Sequence, residues 1–257
     1  MGQKPFSPKT VGIMAGGMAV AGVLLLSGAA ACSLILLSAG DRPPPREAHP
    51  AEISEVWDSR FAERPQLPDD MREVAVSAAY HFKKHEYEEA AACYQKILGK
   101  YPNSLYAWSN LGVVRFQQQD YDGARMALEK AISFSPNDAF SYSNLGLTYY
   151  GLGQYGNAIF ELEKAVRLDP YDAKSWNFLG CSYAQQGDRR KAEQYLKKAI
   201  SLDRKLGDAY FNLALVYANA DPPDLTQAKT YYRQALVLNT ARDPQLDQLI
   251  AHGPKTD

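Results

Sequence analysis

Residues 105–138 read LYAWSNLGVVRFQQQDYDGARMALEKAISFSPND, and residues 139–172 read AFSYSNLGLTYYGLGQYGNAIFELEKAVRLDPYD. The two stretches are 34 residues out of step, and that interval recurs along the chain. It links Trp108, Tyr142, Trp176 and Tyr210; it links Leu111, Leu145, Leu179 and Leu213. It links Gly112, Gly146 and Gly180, with Ala214 in the next place, then Ala90, Ala124, Ala158 and Ala192, and Pro102, Pro136 and Pro170. A recurrence of roughly 20–50 residues marks a stacked array whose units bury their apolar faces against their neighbours. The chain is therefore a solenoid by this pattern, and its function must be sought on a solenoid surface.

Each unit reads as two short helices. In the first quoted stretch, Ala107, Trp108, Leu111, Gly112 and Val114 recur at helical spacing, Gln119 and Asp120 interrupt, and Ala124, Leu128, Ala131 and Ile132 resume the pattern. Gly153 and Gly187 fall where a first helix ends in a left-handed cap. Asp120 and Asp188 follow as N-caps of second helices, and Ser104, Asp138 and Asp172 as N-caps of the next unit, each two residues after a proline. Small residues at Gly112, Gly146, Gly180, Ala124, Ala158 and Ala192 let the two helices approach, while Trp108, Tyr142, Trp176 and Tyr210 are expected to fill the gap between units.

Trp-x-x-Leu-Gly, a tyrosine three residues after the glycine (Tyr149, Tyr183), a later alanine and a closing proline resemble the signature of the tetratricopeptide repeat family. The resemblance covers five units, 71–104, 105–138, 139–172, 173–206 and 207–240. The first has Ser77 and Ala78 in place of Leu-Gly but keeps Ala90, Tyr94 and Pro102; Arg204 replaces the closing proline of the fourth. The fifth keeps Tyr210, Leu213 and Tyr217, then carries two extra residues within Ala220-Asp221-Pro222-Pro223-Asp224. Residues 241–257 supply a capping helix over Gln245 to Ile250, covering Leu236 and Leu238, and a tail. The fold class implied is all-α, a right-handed α-solenoid of about five helix-turn-helix tetratricopeptide repeats preceded by a transmembrane helix.

That membrane helix is expected over residues 11–40, which carry no charge and include Val23-Leu24-Leu25-Leu26 and Leu34-Ile35-Leu36-Leu37. About 20 apolar residues span a bilayer, and the run exceeds the ~7–15 of a signal-peptide core, favouring an uncleaved signal anchor after a tail of residues 1–10. Acylation at Cys32 after Ala29-Ala30-Ala31, or cleavage after Ser38-Ala39-Gly40, are the alternatives. Lys4, Lys9 and the terminal amine precede the segment, and Arg42 and Arg46 follow it, a slight bias toward an inside N-terminus. The expected location is thus a single-pass membrane protein with extracytoplasmic (periplasmic) repeats in a bacterium. Gly12 and Gly16 have the small-xxx-small spacing of a helix-packing motif, a match that a segment this rich in glycine and alanine produces by chance. Residues 41–70 hold Pro43, Pro44, Pro45, Pro50, Pro65 and Pro68, the composition of a semi-rigid spacer. Within it, Glu52 to Phe61 form a candidate helix with Ile53, Val56, Trp57 and Phe61 on one face, suited to docking against the first repeat.

The resemblance also implies that first helices line a groove for an extended peptide or partner helix. Carried over position by position, the lining is Tyr106, Ser109, Asn110, Val113, Phe116 and Gln117; Phe140, Ser143, Asn144, Leu147 and Tyr150; Lys174, Asn177, Cys181 and Gln185; and Phe211, Asn212, Leu215 and Asn219. The family's clamp for a C-terminal carboxylate is not expected, because its lysine positions hold Ala75 and Ser109 and only Lys174 is basic. What remains is aromatic and amide-rich, suited to contact area and to pairing with a peptide backbone. The competing account is that Asn110, Asn144 and Asn212 are the family's usual residues and the aromatics are packing.

Other chemistry finds little footing. With 28 basic and 29 acidic residues the chain has no basic stripe for nucleic acid. His81 and His85 share a helical spacing but lack the acid of a His-Glu-x-x-His motif, and no phosphate loop, nucleophile elbow or cysteine–histidine cluster is present. Three cysteines, Cys32, Cys93 and Cys181, form no closed disulfide framework. No enzyme activity, cofactor, metal or small-molecule substrate is expected. The expected function is that of a membrane-anchored adaptor binding a protein segment, with a structural subunit of a secretion or pilus assembly, or a cytosol-facing organelle receptor, as alternatives.

Overall fold

The structure, a computed structural model, describes residues 68–252. The expected membrane segment at 11–40, most of the linker and its candidate helix lie outside these residues. After a 3-10 turn, Asp69–Met71, come α1 (Arg72–Lys83), α2 (Tyr87–Lys100), α3 (Leu105–Gln117), α4 (Tyr121–Phe134), α5 (Ala139–Gly151) and α6 (Tyr155–Leu168). They are followed by α7 (Ala173–Gln185), α8 (Arg189–Leu202), α9 (Gly207–Ala218), α10 (Leu225–Val237) and α11 (Pro244–His252). Among the described residues there is no strand and no helix long and apolar enough to cross a membrane.

Local chemistry sets these boundaries. Ser104 Oγ accepts from Ala107 N at 3.3 Å, Asp138 Oδ2 from Ser141 N at 3.0 Å and Asp172 Oδ2 from Ser175 N at 3.3 Å, so three first helices start on side-chain caps. Asp120 and Asp188 cap α4 and α8 through Gly123 N and Lys191 N, at 2.9 and 3.1 Å. Between helices, Gly153 and Gly187 have φ +72 and +81, the left-handed caps that their sequence positions predict. His85 and Gln119, which occupy the same place in the two preceding units, adopt the same conformation at φ +61. The turn geometry is thus a property of the position, and glycine is only its easiest occupant. The insertion in the fifth unit replaces this turn with one that includes a cis Asp221–Pro222 bond, and Asp224 caps α10 through Gln227 N at 3.0 Å.

Within the second, third and fourth pairs a glycine sets the spacing. A Cβ on Gly112 would lie 2.5 Å from Leu128 Cγ, one on Gly146 2.5 Å from Leu162 Cγ, and one on Gly180 2.7 Å from Leu196 Cγ. Each of these leucines is fully buried in the notch its glycine leaves. The aromatic series sits differently from the sequence expectation. Trp176 stacks on Tyr195 of its own pair, with ring centroids 5.5 Å apart, and Tyr210 lies 6.5 Å from Tyr231 of its own pair. The indole N–H groups reach backward: Trp108 Nε1 donates to Pro102 O at 2.7 Å and Trp176 Nε1 to Pro170 O at 2.9 Å. Trp176 and Tyr210 thus pack within their own pairs, and the two indole N–H groups tie Trp108 and Trp176 to the closing proline of the unit before.

Each pair packs on the next through its second helix, α2 on α3, α4 on α5, α6 on α7 and α8 on α9. A repeated polar contact marks the joint: Tyr183 Oη donates to Glu163 at 2.8 Å and Tyr217 Oη to Glu193 at 2.7 Å, with Tyr149 and Glu129 at a looser 3.5 Å. First helices of neighbouring pairs also touch (α3 with α5, α5 with α7, α7 with α9), and second helices make no comparable contact. First helices therefore lie on the inside of the curve. At the far end α11 packs on α9 and α10, burying Leu246, and Tyr232 Oη accepts from Asp243 N at 2.7 Å.

Candidate peptide-binding face

The inner face is built from the first helices, and rotation about each helix decides which side chains it presents. The positions of Ser109, Ser143, Asn177 and Phe211, one interval apart, are buried in all four pairs. Ser175 Oγ bonds Ser143 Oγ at 2.7 Å across this joint. Ser109 and Asn177 are packing residues here, since neither leaves surface for a ligand. Leu147, Tyr150 and Asn212 are also buried, and Phe211 packs against Tyr232 with centroids 6.0 Å apart. Asn212 Nδ2 donates to Asn177 Oδ1 at 3.0 Å, so these two amides, expected to face a peptide, pair with each other. The cause is simple: two adjacent amides in a closed joint satisfy one another more cheaply than they remain solvated.

The remaining candidates keep surface. Tyr106, Asn110, Val113, Phe116, Gln117, Phe140 and Asn144 are half-buried, and Lys174 is exposed. Asn110 Nδ2 donates to Tyr106 O at 2.7 Å and Asn144 Nδ2 to Phe140 O at 2.8 Å. An amide carries two N–H groups and a carbonyl, so one intrahelical bond orients it without exhausting it. Phe116 stands edge-on to Tyr121 of the next helix, centroids 5.3 Å apart, which explains its partial burial.

Further along, a cavity of about 260 Å³ opens between α5, α7 and α9. Its wall takes Tyr150 from α5, Cys181, Ala184 and Gln185 from α7, Asn212, Leu215 and Val216 from α9, and Asn219 just beyond, with Gly187, Arg189 and Leu196 closing one side. Cys181, Gln185, Leu215 and Asn219 were anticipated from the family's groove positions. Arg189 was not, because it belongs to a second helix; its guanidinium lies 5.5 Å from the ring centre of Tyr217. The signal that could have found it is its place right after the N-cap Asp188, where the short turn brings it to the inner rim. The site is thus apolar and amide-lined with one cation at its edge. Two charges sit upstream: burial pushes the Asp208 carboxyl up, and nearby Lys174 partly opposes this. His81 Nδ1 lies 2.7 Å from Glu86 and His85 Nδ1 2.7 Å from Tyr87 Oη, so the two rings are engaged with different partners.

A curved stack of helix pairs repeating every 34 residues, capped at its end and presenting an inner face of aromatic and amide groups, is a tetratricopeptide-repeat protein-interaction scaffold. A family model described as the cilia and flagella-associated protein 70 C-terminal domain matches residues 50–251, and the chain belongs to that family. No curated protein matches the sequence. Among solved structures, MamA is 25% identical with a TM-score of 0.54, over 63% of this chain and 94% of that one. PilW, a type IV pilus biogenesis factor, is 21% identical with a TM-score of 0.66, over 72% and 86%. The tetratricopeptide-repeat protein TTC0263 of Thermus thermophilus is 22% identical with a TM-score of 0.59, over 71% and 98%. These likenesses show the shared repeat fold.

Proposed function

We propose that the protein is a membrane-anchored adaptor that holds an extended segment of a protein partner against the inner face of its repeats, on the extracytoplasmic side of a bacterial inner membrane. The cavity between α5, α7 and α9 carries this reading: three consecutive first helices converge on a concave space with apolar walls and convergent amides, the composition of a segment-binding site. The uncharged run at 11–40 supports the anchor, and the proline-rich linker sets its reach. The family's description associates its namesake with cilia and flagella. That favours a second reading, in which the repeats face the cytosol as a structural subunit of a large assembly. Photo-crosslinkers at Gln185 and Asn219, compared with Met126 on the outer surface, test the face in cells. Partner adducts at the first two positions and none at Met126 are expected, and the reverse pattern moves binding to the outer surface. Protease digestion of the repeats from the cytosolic side would refute the location, and stoichiometric purification of a large complex would favour the second reading.

A further inference from the structure

The first three pairs each set two rings against one another where the first helix turns into the second. Phe82 stands edge-on to Tyr87, Phe116 to Tyr121 and Tyr150 to Tyr155, with centroids 5.7, 5.3 and 5.3 Å apart. Successive couples are one repeat interval apart. One interval further on, the couple becomes Ala184 and Arg189. Ala184 is half-buried, whereas Ala218, its counterpart in the fifth pair, is buried and followed by the longer turn. The fourth pair has thus lost both rings and gained a cation.

Both departures line the cavity between α5, α7 and α9, beside Tyr150 of the last intact couple. An apolar cavity of ~150 Å³ takes up benzene. The cavity here is about 260 Å³, enough for one aromatic ring, and Leu215 and Val216 give that ring apolar walls.

Arg189 is positioned but not neutralised. Its guanidinium lies over Tyr217, whose ring is stacked on Tyr231 at 5.6 Å and whose hydroxyl donates to Glu193 at 2.7 Å. The nearby carboxylates are engaged elsewhere, Asp188 with Lys191 at 3.6 Å and Glu193 with Lys197 at 2.6 Å. Arg189 itself has no ion pair among the described residues. Contact with a ring face leaves the fork of N–H donors in the guanidinium plane available, and that fork matches a carboxylate. On the same wall, the side chains of Gln185 and Asn219 make no hydrogen bond to another described residue, so their amides are available to a peptide backbone.

We infer that the segment bound here carries an aromatic side chain with an acidic residue beside it. The ring enters the cavity in the place that Phe82, Phe116 and Tyr150 hold in the first three pairs, and the carboxylate pairs with Arg189. This ligand chemistry rests on the cavity being the segment-binding site.

The test selects a phage-displayed library of random peptides on the purified full-length chain and on two variants. Peptides that carry Phe, Tyr or Trp with Asp or Glu within about three positions are expected to be enriched. Arg189→Glu, at an exposed position, should turn the acidic preference into one for Lys or Arg and leave the aromatic preference in place. Ala184→Phe restores the ring of the earlier pairs and should lower recovery of the same peptides about tenfold or more, with helical circular dichroism unchanged. Enriched peptides without an acidic preference, or with one that Arg189→Glu leaves unchanged, would overturn the pairing with Arg189. Recovery unaffected by Ala184→Phe would overturn the ring site. If peptides are enriched but respond to neither substitution, the segment lies elsewhere on the inner face and only the proposed ligand chemistry fails. If none is enriched, the segment-binding reading fails with it.

Discussion

Replacing Gly146 with alanine puts a methyl where Leu162 already sits. The new Cβ would lie 2.5 Å from Leu162 Cγ and 3.1 Å from the backbone oxygen of Ala158, so neither a rotamer change nor a small tilt frees it. Overpacking of this kind costs about 1–3 kcal/mol, offset by about 1 kcal/mol from the better helix propensity of alanine. Leu162→Ala alone empties a fully buried site and costs about 2–5 kcal/mol. In the double variant the clash with Leu162 is gone, leaving only the 3.1 Å approach to Ala158 O, and the new methyl occupies part of the emptied space. The two changes should therefore cost about 1–3 kcal/mol less together than the sum of their separate costs. Gly153→Ala is the control. It lies in the same unit with nothing within 4 Å of its Cβ, so its cost of about 1 kcal/mol is backbone strain at φ +72 and should add to that of Leu162→Ala. Urea unfolding followed by circular dichroism, on the four Gly146/Leu162 combinations and on Gly153→Ala with and without Leu162→Ala, measures both. Additivity at Gly146 within about 0.5 kcal/mol would refute the claim that close helix approach demands glycine there.

Gln119→Gly should stabilise the protein by up to about 1 kcal/mol, read as a higher urea midpoint, because Gln119 holds a left-handed φ of +61 that costs a side chain but not glycine. Glu193 carries a pH dependence. Its bond to Lys197, with that from Tyr217, holds its carboxyl below the ordinary glutamate value of 4.5. A depressed folded value contributes stability above pH 4.5 that is lost as the pH falls through it. Glu193→Gln should flatten that acid limb in unfolding experiments between pH 6 and about 3, and an unchanged slope would contradict it.

Much of the architecture was legible because it is written in local chemistry. Leu111 to Leu213, the caps at Ser104, Asp138 and Asp172, and the leucine notches at Gly112, Gly146 and Gly180 recur at fixed offsets, and each offset has a mechanism that acts within one pair. The inner face was less legible because it depends on how one pair is rotated against the next. Ser109 and Asn110 are adjacent in sequence, yet the first is sealed in the joint and the second keeps surface. A repeat period shows which residues are equivalent but not the angle between equivalents. Asn177 and Asn212 illustrate the same gap, since their mutual bond spans two units. Trp176 was misplaced for a related reason: a large aromatic at a repeat position looks like filler between units until the pairing with Tyr195 shows which neighbour it seals.

The tyrosine–glutamate joint has a consequence for how such a chain can change length over time. Two successive joints match the same donor to the same acceptor at the same spacing, Tyr149 with Glu129 and Tyr183 with Glu163. Excising residues 139–172 would bring Glu129 of α4 against Tyr183 of α7, a partner of the type it already meets in Tyr149. Asp172 would leave with the excised block, and Asp138 would take its place as the cap before Ala173. The unit at 139–172 can therefore be lost or copied without creating a mismatched seam, while a gain or loss of any other length there breaks one. The reach of the inner face is counted in steps of one unit.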